Sequence, residues 1–208
     1  TWIEAQNELT FGFLEKIPER TRLRERLTKL WNYERVSTPW TQGGRWFWSR
    51  NDGLQNQSVL YTAASPDATP SVLFDPNVLS PDGTIALGGL AVSDDGKLMA
   101  YALSVAGSDW QEWKVRDIAT GKDLPDILKW AKFTGASWRK DGSGFYYSRY
   151  PAPAEGQSLK EQNFGQQIYF HRLGDDQTKD RLVYERPDQK EWFLGAGVTE
   201  DGRWLTVG

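Results

Sequence analysis

The residue with the most evident chemical potential in this sequence is His171, the single histidine among 208 residues. A Ser–His–Asp triad within these residues would have to use it, and a zinc site with two or three histidine ligands cannot be built. No Gly-x-Ser-x-Gly motif supplies a nucleophile. The pattern around it predicts a strand in which His171 shares a face with Tyr169. We therefore interpret His171 as a structural residue on the more exposed face of that strand.

The remaining candidates for chemistry are carboxylates in turns, because the sequence has no cysteine. That absence excludes a disulfide framework, a thiolate zinc site, an iron–sulfur cluster and a cysteine nucleophile. The acidic turn residues are Asp94, Asp95, Asp141, Glu200 and Asp201. They recur at one position of a repeated turn, which favours turn and capping roles over a metal site or a glycosidase pair. We expect neither a metal nor a cofactor.

Composition and charge exclude further classes of protein. The chain carries 25 Lys and Arg against 28 Asp and Glu, a formal net charge of −3, which argues against a broadly electrostatic nucleic-acid binder. No stretch approaches the ~20 apolar residues of a membrane-spanning helix. We expect a soluble protein, cytoplasmic or periplasmic, that binds neither nucleic acid nor membranes.

The elements that must position any site begin with two helices. Apolar residues recur every three to four positions between Trp2 and Phe13, and again within residues 19–31, with Pro18 between the two runs. Arginines and a lysine separate the apolar residues of the second run. Because two glutamates are interleaved with them, we interpret the basic residues as a solvated helix face rather than an anion site.

From Tyr33 onward, short strand patterns alternate with turn residues. A Gly-containing hairpin turn flanked by apolar strands recurs, at intervals of 46 to 60 residues, at Gly43, Gly96, Gly142 and Gly202. A second hairpin follows each of the first three copies. Two hairpins per repeat are typical of the four-stranded blades of a β-propeller, and 11 tryptophans suit a β-rich core.

The predicted blades begin near residues 43, 91, 134 and 196, which gives about three complete blades and part of a fourth. Propellers close with about four to eight blades, because an open ring exposes strand edges. We therefore expect the sequence to be part of a longer protein. The connection over residues 151–167 is longer than an ordinary hairpin loop. It is either a loop that gates or contacts a partner or a tolerated insertion.

Several runs of residues, in order along nearly the whole chain, carry a resemblance to a known family. They are residues 4–7 (Glu-Ala-Gln-Asn), 51–61 (Asn-Asp-Gly-Leu-Gln-Asn-Gln-Ser-Val-Leu-Tyr), 73–80, 82–84 and 107–110 (Gly-Ser-Asp-Trp). Together they resemble the prolyl oligopeptidase (prolyl endopeptidase) family. The resemblance implies a seven-bladed propeller that caps an α/β-hydrolase domain, and cleavage of short peptides on the carboxyl side of proline.

The resemblance also implies how the chain is divided. Residues 1–32 would belong to the peptidase domain and residues 33–208 would form the first propeller blades. The Ser, Asp and His of the triad would lie beyond residue 208, so that neither His171 nor any serine here is a catalytic candidate. The implied partners are a short proline-containing peptide and the C-terminal peptidase domain of the same chain, in a monomeric protein.

Two positions are implied to contact substrate. Phe133 matches a propeller aromatic that lines the family's substrate pocket, and Phe193 stands where an apolar residue, often Met, is usual. An apolar wall suits proline because it buries hydrocarbon without needing a polar partner. For the two rings the alternative is that both fill space between blades. For the function the alternative is a non-catalytic propeller that binds other proteins.

Overall fold

Two helices open the chain, as the apolar spacing predicts. The computed structural model describes residues 1–160 and 162–208. Helix α1 spans Trp2–Leu14 and begins with a capping box, in which the Thr1 and Glu4 side chains each bond the other residue's backbone nitrogen. Helix α2 spans Arg20–Trp31. Pro18 lies in the turn between them, where its ring cannot continue a helix.

Neither helix buries a residue in this structure. The basic face of α2 is solvated as predicted, since every side chain from residue 21 to residue 31 is exposed. Large apolar side chains are exposed as well, among them Leu9, Phe13, Leu27 and Trp31. Across the described ranges, no helix is long and apolar enough to cross a bilayer.

The strands form four antiparallel sheets in chain order, which confirms the blade prediction. Blade 1 contains β1 (Arg35–Val36), β2 (Trp40–Gln42), β3 (Arg45–Asn51), β4 (Val59–Ala63) and β5 (Ser71–Phe74). Blade 2 contains β6 (Ile85–Val92), β7 (Leu98–Val105), β8 (Gln111–Asp117) and β9 (Asp123–Ala131). Blade 3 contains β10 (Ala136–Trp138), β11 (Gly144–Arg149), β12 (Gln167–Arg172) and β13 (Arg181–Tyr184). Blade 4 contributes β14 (Ala196–Val198) and β15 (Leu205–Val207).

Blades 1 and 2 begin earlier than predicted, at residues 35 and 85 instead of 43 and 91. In blade 1 the predicted start was the turn glycine itself, which follows the first strand. In blade 2 the predicted start lay inside the first strand, because β6 extends six residues further towards the N-terminus than the repeated motif. In blade 1 this strand is also split, because β1 and β2 both pair with β3 and are separated at Pro39, which has no N–H for the ladder. The predicted starts near 134 and 196 agree with β10 and β14.

The apolar core lies between blades. Phe47, Phe74 and Tyr101 are almost completely buried between blades 1 and 2, while Trp113 and Phe145 are completely buried between blades 2 and 3. Both faces of an inner blade are therefore covered by neighbours, unlike those of an open sheet with one solvated face. The first strands contact one another, β10 with both β6 and β14, as expected around a common axis.

The hairpin turns between first and second strands carry the acidic residues in the predicted turn role. The Asp95 carboxylate accepts hydrogen bonds from the Ser93 hydroxyl and the Lys97 N–H, and Asp201 repeats this pattern in blade 4. In blade 3 the Asp141 carboxylate accepts both the hydroxyl and the N–H of Ser143. Asp94 is different, because its carboxylate contacts the side chains of Gln42 and Lys140. It thereby joins the hairpin turns of three successive blades.

Antiparallel blades place all their connections on two faces. The connections between second and third strands, and those from one blade to the next, lie at the same end of the strands. We call this end the upper face. It carries residues 106–110, 132–135 and 185–195, together with the predicted long connection. That connection includes residue 161, which lies outside the described residues.

Candidate functional site

Phe133 and Phe193 meet on the upper face. Their ring centroids are 5.6 Å apart and the rings are nearly perpendicular, at 89°. The two side chains remain 59% and 63% exposed, so they do not fill space inside the core of the described structure. An edge-to-face aromatic pair with this much free surface is an apolar wall available to a ligand.

The backbone holds Phe133 in an unusual conformation. Its φ angle is +51°, in the left-handed region that costs a non-glycine residue ~1 kcal/mol or more. The preceding residue, Lys132, is buried, and its ammonium lies 4.5 Å from the centroid of the Trp110 ring. This cation–π contact anchors the connection from below. The Phe133 ring is consequently turned outward.

One buried amide ties together the two segments that carry these rings. Gln166, only 2% exposed, donates from Nε2 to the Lys132 carbonyl at 2.9 Å, and its Oε1 accepts the Leu194 N–H at 2.6 Å. The buried Ser148 makes a parallel link, since its hydroxyl donates to the Leu194 carbonyl and its N–H donates to the Thr134 hydroxyl. Phe133 and Phe193 are thus held at a fixed separation by polar groups beneath them.

The sequence gives no signal for this role of Gln166 or Ser148. Gln166 lies at the end of a polar connection, where a buried amide looks like any solvated glutamine. The long connection is itself held, because the Trp110 indole N–H donates to the Ser158 carbonyl at 2.6 Å. This hydrogen bond attaches the connection to blade 2 at Ser158.

An open depression of about 460 Å³ adjoins Phe133. Its remaining lining consists mainly of polar residues from blade 2 and the start of blade 3: Ser104, Ser108, Asp109, Gln111 and Thr134. The side-chain oxygen of Gln111 is buried without a hydrogen-bond partner within the described residues. The hydroxyl and carboxylate groups of Ser104, Ser108 and Asp109 in this lining are hydrogen-bond acceptors of the kind that an extended peptide backbone can use.

His171 is not where the sequence placed it. Instead of lying on the more exposed face of its strand, it is completely buried. The prediction was wrong because it treated the blade as an open sheet, whereas blades pack on both faces. Its ring nitrogens face two carboxylates, Nδ1 at 2.7 Å from Asp180 and Nε2 at 3.0 Å from Asp126. No serine is hydrogen-bonded to it among the described residues, so it is not part of a nucleophilic triad.

Known proteins agree with this architecture. The sequence model described as "Prolyl oligopeptidase, N-terminal beta-propeller domain" matches residues 1–208. The chain belongs to the prolyl oligopeptidase family. A prolyl endopeptidase from Elizabethkingia meningoseptica is 39% identical over 206 residues, which are 99% of this chain and 29% of that protein. The chain thus spans under a third of the relative's length.

Solved structures of prolyl oligopeptidases share the fold of this family member. A structure from a study of two prolyl endopeptidases superposes with a TM-score of 0.92 at 33% identity, over 99% of this chain and 30% of that one. Prolyl oligopeptidase B from Galerina marginata, bound to a 25mer macrocyclization substrate, gives a TM-score of 0.89 at 33% identity, over 99% of this chain and 31% of the other. The resemblance read from residues 4–110 is confirmed.

Proposed function

We propose that this chain is the first part of a proline-specific serine endopeptidase that hydrolyses short peptides on the carboxyl side of proline. The observation that carries the proposal is the exposed Phe133–Phe193 pair on the upper face of a prolyl oligopeptidase propeller. A proline residue presents hydrocarbon and no side-chain donor, so it gains from contact with such a wall. The polar surface beside Phe133 receives the rest of the peptide.

The chemistry belongs to residues beyond 208. There a Ser attacks the scissile carbonyl, a His transfers the proton to the leaving amine, and an Asp orients the imidazole. Hydrogen-bond donors outside residues 1–208 hold the oxyanion. The propeller residues contribute by holding the peptide against the catalytic domain, which lowers the entropic cost of reaching the reactive geometry.

We assign residues 1–32 to that peptidase domain and residues 33–208 to the propeller. The support is that both helices leave their apolar side chains exposed, Phe13 at 68% and Trp31 at 62% among them. Exposed apolar surface of this extent is a site of association. If the protein is as long as its relatives, about two thirds of its length lies outside residues 1–208. We expect that part to fold as an α/β-hydrolase domain and to cover the exposed apolar surface of the helices.

The experiment is hydrolysis of a short peptide with one internal proline by the full-length protein, with and without a serine-directed inhibitor. Phe133→Ala and Phe193→Ala should each raise KM about ten- to a hundredfold, since burial of an aromatic ring is worth about 1.5–3 kcal/mol, with kcat changed less. Val72→Ala, an exposed apolar residue on β5, is the control. Absence of proline-dependent, inhibitor-sensitive cleavage would contradict the proposal and leave a non-catalytic binding module.

We also propose that the full-length protein is a monomer in the cytoplasm or the periplasm. A closed propeller covered by a peptidase domain leaves only short, protected strand edges, which do not recruit a second copy. Sedimentation analysis of the full-length protein and fractionation of cells that express it would test the two statements separately. A stable dimer, or recovery with the membrane fraction, would overturn them.

A further inference from the structure

A charged cluster crosses the interface between blades 1 and 2, and a second cluster between blades 2 and 3 can be compared with it. The Arg116 guanidinium donates to Asp123 at 2.7 Å and to the Leu73 carbonyl of blade 1 at 3.0 Å. The Tyr101 hydroxyl donates to the other oxygen of Asp123 at 2.9 Å. A cation on the third strand of blade 2 thus reaches the last strand of the preceding blade.

The interface between blades 2 and 3 repeats this arrangement with a histidine as the cation. The Tyr147 hydroxyl donates to Asp180 at 2.6 Å, and His171 bonds the other oxygen of the same carboxylate. His171 then reaches Asp126 on β9, the last strand of blade 2. The positions correspond in register: Tyr101 pairs with Lys114 and Tyr147 with Tyr169, and the cation follows two residues later in both blades.

The hydrogen bonds of this second cluster define the protonation of the ring. Ionised carboxylates can only accept hydrogen bonds, and a neutral imidazole carries a single N–H. A neutral His171 would therefore direct a lone pair at Asp180 or Asp126 in a site without water access. Oδ1 of Asp126 acts as an acceptor, because the same oxygen receives the Gly174 N–H at 2.6 Å, while Oδ2 is buried without a partner among the described residues. Both contacts are satisfied when both ring nitrogens carry protons.

We propose that His171 is a doubly protonated brace between blades 2 and 3, and that this interface weakens when the solution becomes alkaline. Burial by itself disfavours the imidazolium, but the hydrogen bonds and charges of Asp180 and Asp126 outweigh it, so the pKa of His171 is raised above 6.5. The titratable and charged groups that surround the ring are Asp126 of β9, Tyr147 and Arg149 of β11, and Asp176 and Asp180 of the β12–β13 connection.

The direction of the pH effect follows from the raised pKa. The His171 imidazole holds its proton more tightly in the folded protein than in the unfolded chain. It therefore stabilises the fold fully below the pKa of histidine in the unfolded chain, about 6.5. This stabilisation is lost as the pH rises through the higher pKa of His171 in the folded protein. Loss of the proton leaves two buried carboxylates without their shared cation. Arg116 keeps its charge throughout this range, so the interface between blades 1 and 2 does not respond.

The direct test is 15N NMR of the full-length protein with histidine labelled segmentally in residues 1–208, where His171 is the single histidine. We expect the His171 ring to lose its second proton only at a pH above the ordinary histidine pKa of about 6.5, with both ring nitrogens protonated below that transition. A ring that titrates at or below about 6.5, or that carries a single proton throughout, would overturn the proposal.

The second test compares His171→Gln with the matched variant Arg116→Gln by chemical unfolding across pH. Above about pH 6.5 the ratio of unfolding constants of His171→Gln to wild type should shrink, by up to roughly tenfold per pH unit. The corresponding ratio for Arg116→Gln should stay constant. Equal pH dependence in both variants would refute the brace. If His171→Gln does not fold, the wild-type NMR measurement still decides.

Discussion

Replacing Gln166 by Leu should separate the two segments that carry the rings of Phe133 and Phe193. The variant keeps most of the side-chain volume but removes both hydrogen bonds of the amide. The Lys132 carbonyl and the Leu194 N–H would then be buried without partners. Each such group costs about 1–3 kcal/mol, and partial relaxation of the connections leaves a total loss of about 3 kcal/mol in the free energy of unfolding.

The matched control is the neighbouring Gln167→Leu. The Gln167 amide bonds Glu185 and Tyr169 near the surface, where water replaces the lost partner, so its cost should stay below about 1 kcal/mol. The two variants are compared by urea unfolding, and amide hydrogen exchange reports on Leu194. We expect faster exchange at Leu194 in Gln166→Leu alone. The reasoning fails if Gln166→Leu unfolds like the control and its Leu194 amide is equally protected.

Three other perturbations test the packing between blades. Gly43→Ala should cost several kcal/mol by thermal unfolding, since its Cβ would lie 2.1 Å from the Gly96 nitrogen of the next blade, whereas Gly44→Ala, with a similar positive φ but nothing within 4 Å, should cost only about 1 kcal/mol; equal losses would contradict the contact. Trp113→Ala, at a completely buried position, should cost about 3–5 kcal/mol by urea unfolding, and a loss below 1 kcal/mol would show that the core collapses around the cavity. Tyr147→Phe should leave the tyrosinate absorbance step near pH 10 unchanged, because burial and the Asp180 charge raise the pKa of Tyr147 far above that range; a smaller step would mean that Tyr147 is exposed.

The helices and the hairpin turns could be predicted from the sequence, because residues close together in the chain determine them. The apolar spacing of residues 2–31 and the break at Pro18 locate both helices to within a residue or two. Glycines with positive φ, such as Gly96 and Gly142, fix the hairpin turns and therefore the number of blades. These features depend on neighbours in the chain, which a single sequence contains.

The features that escape prediction depend on residues far apart in the chain. His171 meets Asp126 from 45 positions away, and Gln166 reaches Lys132 from 34 positions away. Alternation along a strand identifies two faces but does not reveal that a neighbouring blade covers the second one. The resemblance placed Phe133 and Phe193 on a substrate wall, yet nothing in their sequence context indicated that their rings touch.

The correspondence between Arg116 and His171 has a consequence for how the ring is built. The two adjacent joints share one arrangement of tyrosine, aspartate and cation, and they differ in the cation and in the group that it reaches on the preceding blade, the Leu73 carbonyl or the Asp126 carboxylate. The arginine keeps its charge, so the stability of the interface between blades 1 and 2 does not depend on pH. The histidine titrates, so the stability of the interface between blades 2 and 3 does. A propeller can in this way contain interfaces between blades whose stabilities depend on pH to different degrees. The weakest interface at a given pH determines where the blades first separate.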